Sequence, residues 1–432
     1  WRAVKLHPAR LADLRQWFDA AQREILPGDR LLVFVTDHGG PGRSGPGSGT
    51  ISLWHEQLTV RELRLLLDRL APKVQVVTVM SQCYSGAFAD LMYDGGASAP
   101  PSGNTCGFFA TTADDKAYGC YPEGQDRDRV GYAFELIDAL NRQSTVTQAH
   151  DQVMQSDSTP DRPRRTSDAY LSRLLSDEAR ARGTDRDDLA DSLLKTAWRD
   201  AAAWEPDIRR LDAIGEAFGT FSPRSLREVK SGEQDLVRRA DELKTYLDRW
   251  NAVSLEVKES LLRAFAASHP VWRDQLDPRA VEQLPPDQRA AVVARFLDEL
   301  HPFARQSDLW PKMERFRAAA SKASEASWRF EVRKAAAERM RTILLTVAGR
   351  ELLTAVDDRR SPRDEARAAQ RQALDALVQC EALSPGDLPA KSVATVSTAR
   401  ASFPPLSDDI DLLQQLQPSW LGVRYAPMSS NA

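Results

Sequence analysis

Two residues in this chain have the types and setting for a thiol and an imidazole to work as one unit. An apolar run, LLVFVT (31–36), leads into Asp37-His38-Gly39-Gly40, and a second, VQVVTVM (74–80), leads into Ser81-Gln82-Cys83-Tyr84-Ser85-Gly86. His38 and Cys83 stand 45 residues apart with one amphipathic stretch, 59–70, between them. A thiolate attacks carbonyl carbon readily, and an imidazole within reach of the sulfur takes its proton and later returns it to a leaving group. Glycines following both residues let the backbone approach a bound carbonyl and aim amides at a developing oxyanion. Free cysteine is among the commonest buried residues, so Cys83 alone would say little. The two motifs together, each at the end of an apolar run, point to nucleophilic chemistry.

The runs that carry these residues have strand length and strand composition. A third, CGFFATT (106–112), is of the same kind, and helical periodicity covers 9–25, 59–70 and 130–141. Strands alternating with helices predict a mostly parallel sheet flanked by helices, and runs apolar on both faces predict buried central strands. Such sheets place functional groups just beyond the carboxyl ends of their strands. If the first two strands are neighbours, His38 and Cys83 emerge side by side.

Glycine divides the chain: residues 1–150 hold 15 of the 22 glycines. Beyond about 165, apolar residues recur at three- and four-residue spacing through 167–182, 187–203, 224–249, 253–267, 287–300, 311–322, 324–357 and 362–380, with Pro and Gly between them. This predicts a large all-α region. The six tryptophans between 198 and 328 are expected to pack helices together. The polar, proline-containing stretch 151–166 is the expected linker between an α/β domain over 1–150 and a helical domain over 167–405, with a tail from 406 to 432.

Charge narrows the range of partners. The chain carries a net −4, with 15 basic against 17 acidic residues in 1–150 and 43 against 45 in the remainder. Neither part has the basic excess that nucleic acid attracts, and no apolar stretch has membrane-spanning length. The four cysteines, Cys83, Cys106, Cys120 and Cys380, lack zinc-type spacing, and His55, His150, His269 and His301 lack metal-type spacing, so no metal site is expected. Cys106 and Cys120 are expected as buried thiols, with a disulfide between them as the alternative. Gly-rich PGRSGPGSGT (41–50) lacks the Lys-Ser/Thr of a phosphate loop and is expected to form a rim loop beside the site.

The motifs resemble those of the legumain family of caspase-fold cysteine peptidases. VFVTDHGG resembles that family's strand running into Thr-Asp-His-Gly, and VMSQCYSGAF its strand ending in Cys-x-Ser-Gly. LTVRELRLLLDRL (58–70) and FFATTADDKAYGCY (108–121) extend the likeness over roughly residues 6–150. Gln82-Cys83 with His38 upstream also fits caspase spacing loosely. The resemblance implies a caspase-like fold and cysteine endopeptidase activity on protein or peptide substrates, without cofactor. It implies His38 as base, Cys83 as nucleophile, and the amides of Gly39 and Cys83 as oxyanion hole. Ser81 and Gln82, just before the nucleophile, are expected to line the substrate pocket. Ser81 stands where legumain-like enzymes carry an acid, and no acid stands at Gly131-Tyr132, where the family's later pocket acid aligns. Asp114, Asp115, Asp126 and Asp128 are nearby substitutes, of which Asp115 is the chosen candidate.

The helical region is expected to regulate the peptidase or bind a protein partner; the alternative reading is a catalytically degenerate scaffold on the same fold. Against the family pattern, the strands that precede the His-bearing strand are absent. The expectation is therefore that further residues or a separate chain complete the sheet. PSWLGVRYAP (418–427) resembles the opening strand of a PDZ domain.

Overall fold

A computed structural model describes residues 7–42, 48–94, 100–118, 131–142, 145–275, 284–354 and 362–383. In chain order the front elements are α1 (Leu11–Glu24), β1 (Arg30–Val35), β2 (Gly39–Gly40), β3 (Thr50–Ser52), β4 (Gln57–Thr59), α2 (Val60–Leu67), β5 (Gln75–Met80), a 3-10 helix (Ser85–Met92) and β6 (Thr105–Phe109). They are followed by α3 (Tyr132–Leu140), α4 (Val146–Ser156), β7 (Arg164–Arg165), α5 (Thr166–Arg182), α6 (Arg186–Ala197) and α7 (Glu205–Ala217). The remaining helices are α8 (Leu226–Ser268), α9 (Pro270–Gln275), α10 (Pro286–Gln306), α11 (Trp310–Thr354) and α12 (Pro362–Glu381).

The main sheet has the order β1-β5-β6-β7, the first three strands parallel and β7 antiparallel to β6. A small antiparallel sheet, β2-β3-β4, rises from the end of β1. Alternation along β5 sends Val76 and Met80 to one face, where Phe18 of α1 and Leu63, Leu66 and Leu67 of α2 bury them. Val77 and Val79 face the other way, onto Tyr132 and Leu136 of α3 and Ala149 and Val153 of α4. Each face thus has its own helical layer, as expected. Local chemistry starts α2 where it must: Thr59 accepts from the Glu62 amide while the Glu62 carboxylate accepts from the Thr59 amide, a capping box.

Four expectations change, three in the layout of the chain and one at Cys106. LLVFVT is not buried on both faces: β1 is an outer strand of the sheet, and Leu32 and Phe34 are exposed while Leu31, Val33 and Val35 pack on the α1–α2 side. The stretch 151–166 is no linker. It comprises the end of α4, a turn in which Asp157, Thr159 and Asp161 are buried, and β7. Its polarity serves internal hydrogen bonds instead of solvation. Compact units also divide elsewhere than expected, one formed by 1–235 with 332–406 and the other by 236–331 with 407–432. Residues 332–354 of α11 and all of α12 therefore belong to the same unit as the sheet, and Cys380 and Leu383 join the core beneath α3 and α4. The tail from 406 and its PDZ-like stretch lie outside the described residues.

Cys106 is not a thiol: it forms a disulfide with Cys380 of α12, across a sequence separation of 274 residues. Next to it, the buried Glu381 carboxylate accepts from the Ser167 amide and hydroxyl at 2.7 Å each, and the Glu381 carbonyl accepts from Thr147 at 2.8 Å. Burial pushes Glu381 up to about 7, with Arg165 opposing. Cross-linking so long a loop restricts the unfolded chain strongly; Cys380→Ser should cost about 2–5 kcal/mol of stability. Denaturant titration of wild type with and without reductant, beside Cys380→Ser, checks this; equal midpoints in all three samples would refute it. Cys120 lies outside the described residues.

Candidate active site

β1 and β5 run parallel in direct register, with Val35 opposite Met80. Ser81 extends the pairing by one residue, its amide and its hydroxyl both donating to the Val35 carbonyl at 3.0 Å. Beyond these last paired residues both chains leave the sheet at the same edge, one bearing His38 and the other Cys83. The two strands are thus neighbours, the condition the sequence reading set.

Close backbone packing joins the two loops. A Cβ added to Gly39 would lie 2.0 Å from the Cys83 carbonyl oxygen, so only glycine fits. His38 is exposed, its amide donates to the Asp37 carboxylate at 2.6 Å, and its carbonyl accepts from Ser52 of β3 at 2.9 Å. The β2–β4 hairpin, which the sequence reading treated only as a Gly-rich rim, thus anchors the histidine loop; part of 41–50 lies outside the described residues. Cys83 is a free, half-buried cysteine whose thiol donates to the Ala117 carbonyl at 3.7 Å. Tyr84 follows in the left-handed region at φ 60°, a conformation that costs a non-glycine residue about 1–2 kcal/mol. Its amide donates to the Asp115 carbonyl at 2.7 Å, and Gly86 packs against the Thr111 carbonyl and the Ala113 amide. The turn that presents Cys83 is fixed from both sides.

The expected pocket residues are distributed unevenly. Ser81 is half-buried with its hydroxyl engaged on Val35. Gln82 is 1% exposed and reaches the Met80 sulfur, with its Cγ beneath Gly39. It supports the loop from below, so the expectation that it lines an open pocket is corrected. Asp115 is half-buried beside the nucleophile loop, and its carboxylate accepts from Thr112 at 3.2 Å and pairs with Arg162. Asp126 and Asp128 lie outside the described residues.

A second set of residues supports this region and was not singled out in the sequence. Asp161 is fully buried; its two carboxylate oxygens accept from the amides of Tyr118 (2.6 Å) and Tyr132 (3.0 Å). Burial pushes Asp161 up to about 7 and the nearby charge of Asp157 adds to this, while the two amides and Arg339 oppose it. Arg339 of α11, also fully buried, donates to the carbonyls of Asp157 (2.6 Å), Thr159 (2.8 Å) and Asp161 (2.9 and 2.8 Å). His150, expected to be structural, is buried against Tyr132, whose hydroxyl lies 3.1 Å from its Nδ1; burial lowers it to about 4. Among the described residues no cluster of His, Cys, Asp or Glu is placed to hold a metal ion, and no helix is long and apolar enough to cross a membrane.

Residues 22–162 match the family model of the Peptidase C13 family. That stretch is similar to the legumain-like, caspase-fold cysteine peptidases, a family of hydrolases that act on protein or peptide substrates. Among solved structures the chain is similar to protein GSU0716 from Geobacter sulfurreducens, at 16% identity and a TM-score of 0.26, covering 36% of this chain and 72% of that one. No curated protein matches the chain in sequence.

Proposed function

We propose that the chain is a cysteine endopeptidase working through a Cys83–His38 dyad. His38 takes the thiol proton of Cys83 as sulfur bonds to the scissile carbonyl carbon, and the amides of Gly39 and Cys83 receive the resulting oxyanion. Each such donor is typically worth about 2.7–4 kcal/mol in the transition state. As the C–N bond breaks, His38 passes the proton to the leaving amine. Water then attacks the thioester with His38 as base, releasing the acid and the thiol. The observation that carries this reading is the β1–β5 register, which brings His38 and Cys83 out at one sheet edge, with Gly39 against the Cys83 carbonyl. Ser81 and Asp115 are the proposed contributors to substrate binding, because both lie on segments hydrogen-bonded into the nucleophile loop. Regulation or partner binding falls to the unit of residues 236–331, since 332–383 belongs with the peptidase unit.

A peptide library varied at the residue before the scissile bond tests the activity, together with a thiol-reactive peptide probe. Wild type should cleave internal bonds and take up the probe at Cys83, and Cys83→Ser should do neither. Cleavage by Cys83→Ser at the wild-type rate would overturn the assignment, and a wild type that neither cleaves nor labels would favour the scaffold alternative.

A further inference from the structure

The segment Asp115–Tyr118 is held on two sides. Toward the nucleophile, the Asp115 carbonyl receives the Tyr84 amide and the Ala117 carbonyl receives the Cys83 thiol. Toward the turn before β7, the Tyr118 amide donates to the Asp161 carboxylate, and the Asp115 carboxylate pairs with Arg162. The turn itself is tied down by further hydrogen bonds. Arg339 holds the backbone carbonyls of Asp157, Thr159 and Asp161 at once, and the Asp157 carboxylate accepts from the Thr159 amide at 2.9 Å. All of these groups belong to one compact unit.

We propose that Asp161, seated by Arg339 of the helical region, is a positioning residue for Cys83, holding Asp115–Tyr118 so that the Ala117 carbonyl fixes where the thiol points. The proposal rests on the reading of Cys83 as nucleophile. A carboxylate is the group this position needs, because it accepts from two amides at once. Asparagine is the same size, yet it offers one oxygen acceptor and turns an NH2 donor toward the second amide, so one contact is lost without a change in volume. Misplacing a reacting group by about 1 Å can cost on the order of a hundredfold in rate. A helix remote in sequence is then part of what aims the nucleophile.

The test compares Asp161→Asn with Asp157→Asn, an equally buried substitution in the same turn that touches neither Tyr118 nor Tyr132. Both are made in a Cys120→Ser background, so that Cys83 is the thiol being read. In Asp161→Asn, kcat for a cleaved peptide should fall at least tenfold with KM moving less than threefold. The rate of Cys83 alkylation by iodoacetamide should rise at least threefold as the thiol leaves its acceptor. Asp157→Asn keeps an oxygen for the Thr159 amide but weakens the pairing with Arg339, so it should move both readouts by a clearly smaller factor at equal helical content. Arg162→Gln breaks the weaker, partly exposed half of the strap, should move both readouts the same way by a smaller factor, and replaces Asp161→Asn if that variant fails to fold. Unchanged alkylation and kcat in the folded variant, or equal changes in Asp157→Asn, would overturn the proposal. Alkylation needs no substrate: were wild type to cleave no peptide, the functional reading would fall while the alkylation ratios still decided the strap.

Discussion

Cys83→Ala and His38→Ala should each lower peptide turnover by about 10^4-fold or more, and the double variant should be hardly slower than either single one. Residues that form one catalytic unit lose nearly everything when one member goes, so their effects do not add. The register of β1 with β5 is the structural reason to expect a unit here. Measured kcat values for the three variants, on a peptide that wild type cleaves, check the prediction. Losses that multiply in the double variant would mean two separate contributions, and His38→Ala within tenfold of wild type would remove it from the mechanism. Neither substitution should alter stability much, because His38 is exposed and the small Cys83 side chain is only half-buried.

Arg339→Ala should register first in stability, with a loss of about 3–5 kcal/mol in unfolding free energy. The side chain is fully buried, donates to three carbonyl-bearing residues, and stands 3.6 Å from the Asp157 carboxylate. Removing it leaves a buried carboxylate without its counter-charge and several carbonyls without donors. That is a large share of the 5–15 kcal/mol that holds a domain together. Arg339→Lys keeps the charge but lacks the planar fork, so it should recover only part of the loss. Denaturant midpoints for wild type, Arg339→Lys and Arg339→Ala should fall in that order. A change below about 1 kcal/mol in Arg339→Ala would show that the turn carrying Asp157 and Asp161 holds without it.

Local chemistry in the front of the chain was readable because it repeats at short range. LLVFVT and VQVVTVM announced their strands, and the residues at their ends announced a thiol and a base. The periodicity over 59–70 likewise announced α2. What escaped notice was chemistry whose partners lie far away along the chain. Asp157, Thr159 and Asp161 look like a solvated link until Arg339, 178 residues beyond Asp161, is seen gripping their carbonyls. Cys106 gave no sign that Cys380 would be its partner. Nor could apolar content tell an outer strand from a central one, so Leu32 and Phe34 read as buried. Gln82 was misplaced for a related reason: its position just before the nucleophile says nothing about which side of the sheet edge its side chain takes.

The Cys106–Cys380 link also sets an order of events during synthesis. Ribosomes add about 5–20 residues per second, so the 274 residues between the two cysteines take about 15–55 s to appear. Throughout that interval Cys83 and His38 have already been synthesised, while the helix that carries Cys380 is incomplete. Until that helix and Arg339 are in place, the α3–α4 layer lacks Cys380 and Leu383, and the segment beside the thiol lacks its anchor through Asp161. A nascent chain in that state holds the residues proposed for catalysis without the C-terminal contacts that complete their surroundings. Truncated chains arrested before residue 332 should therefore be easily digested by added protease, and chains extended through 383 should resist it.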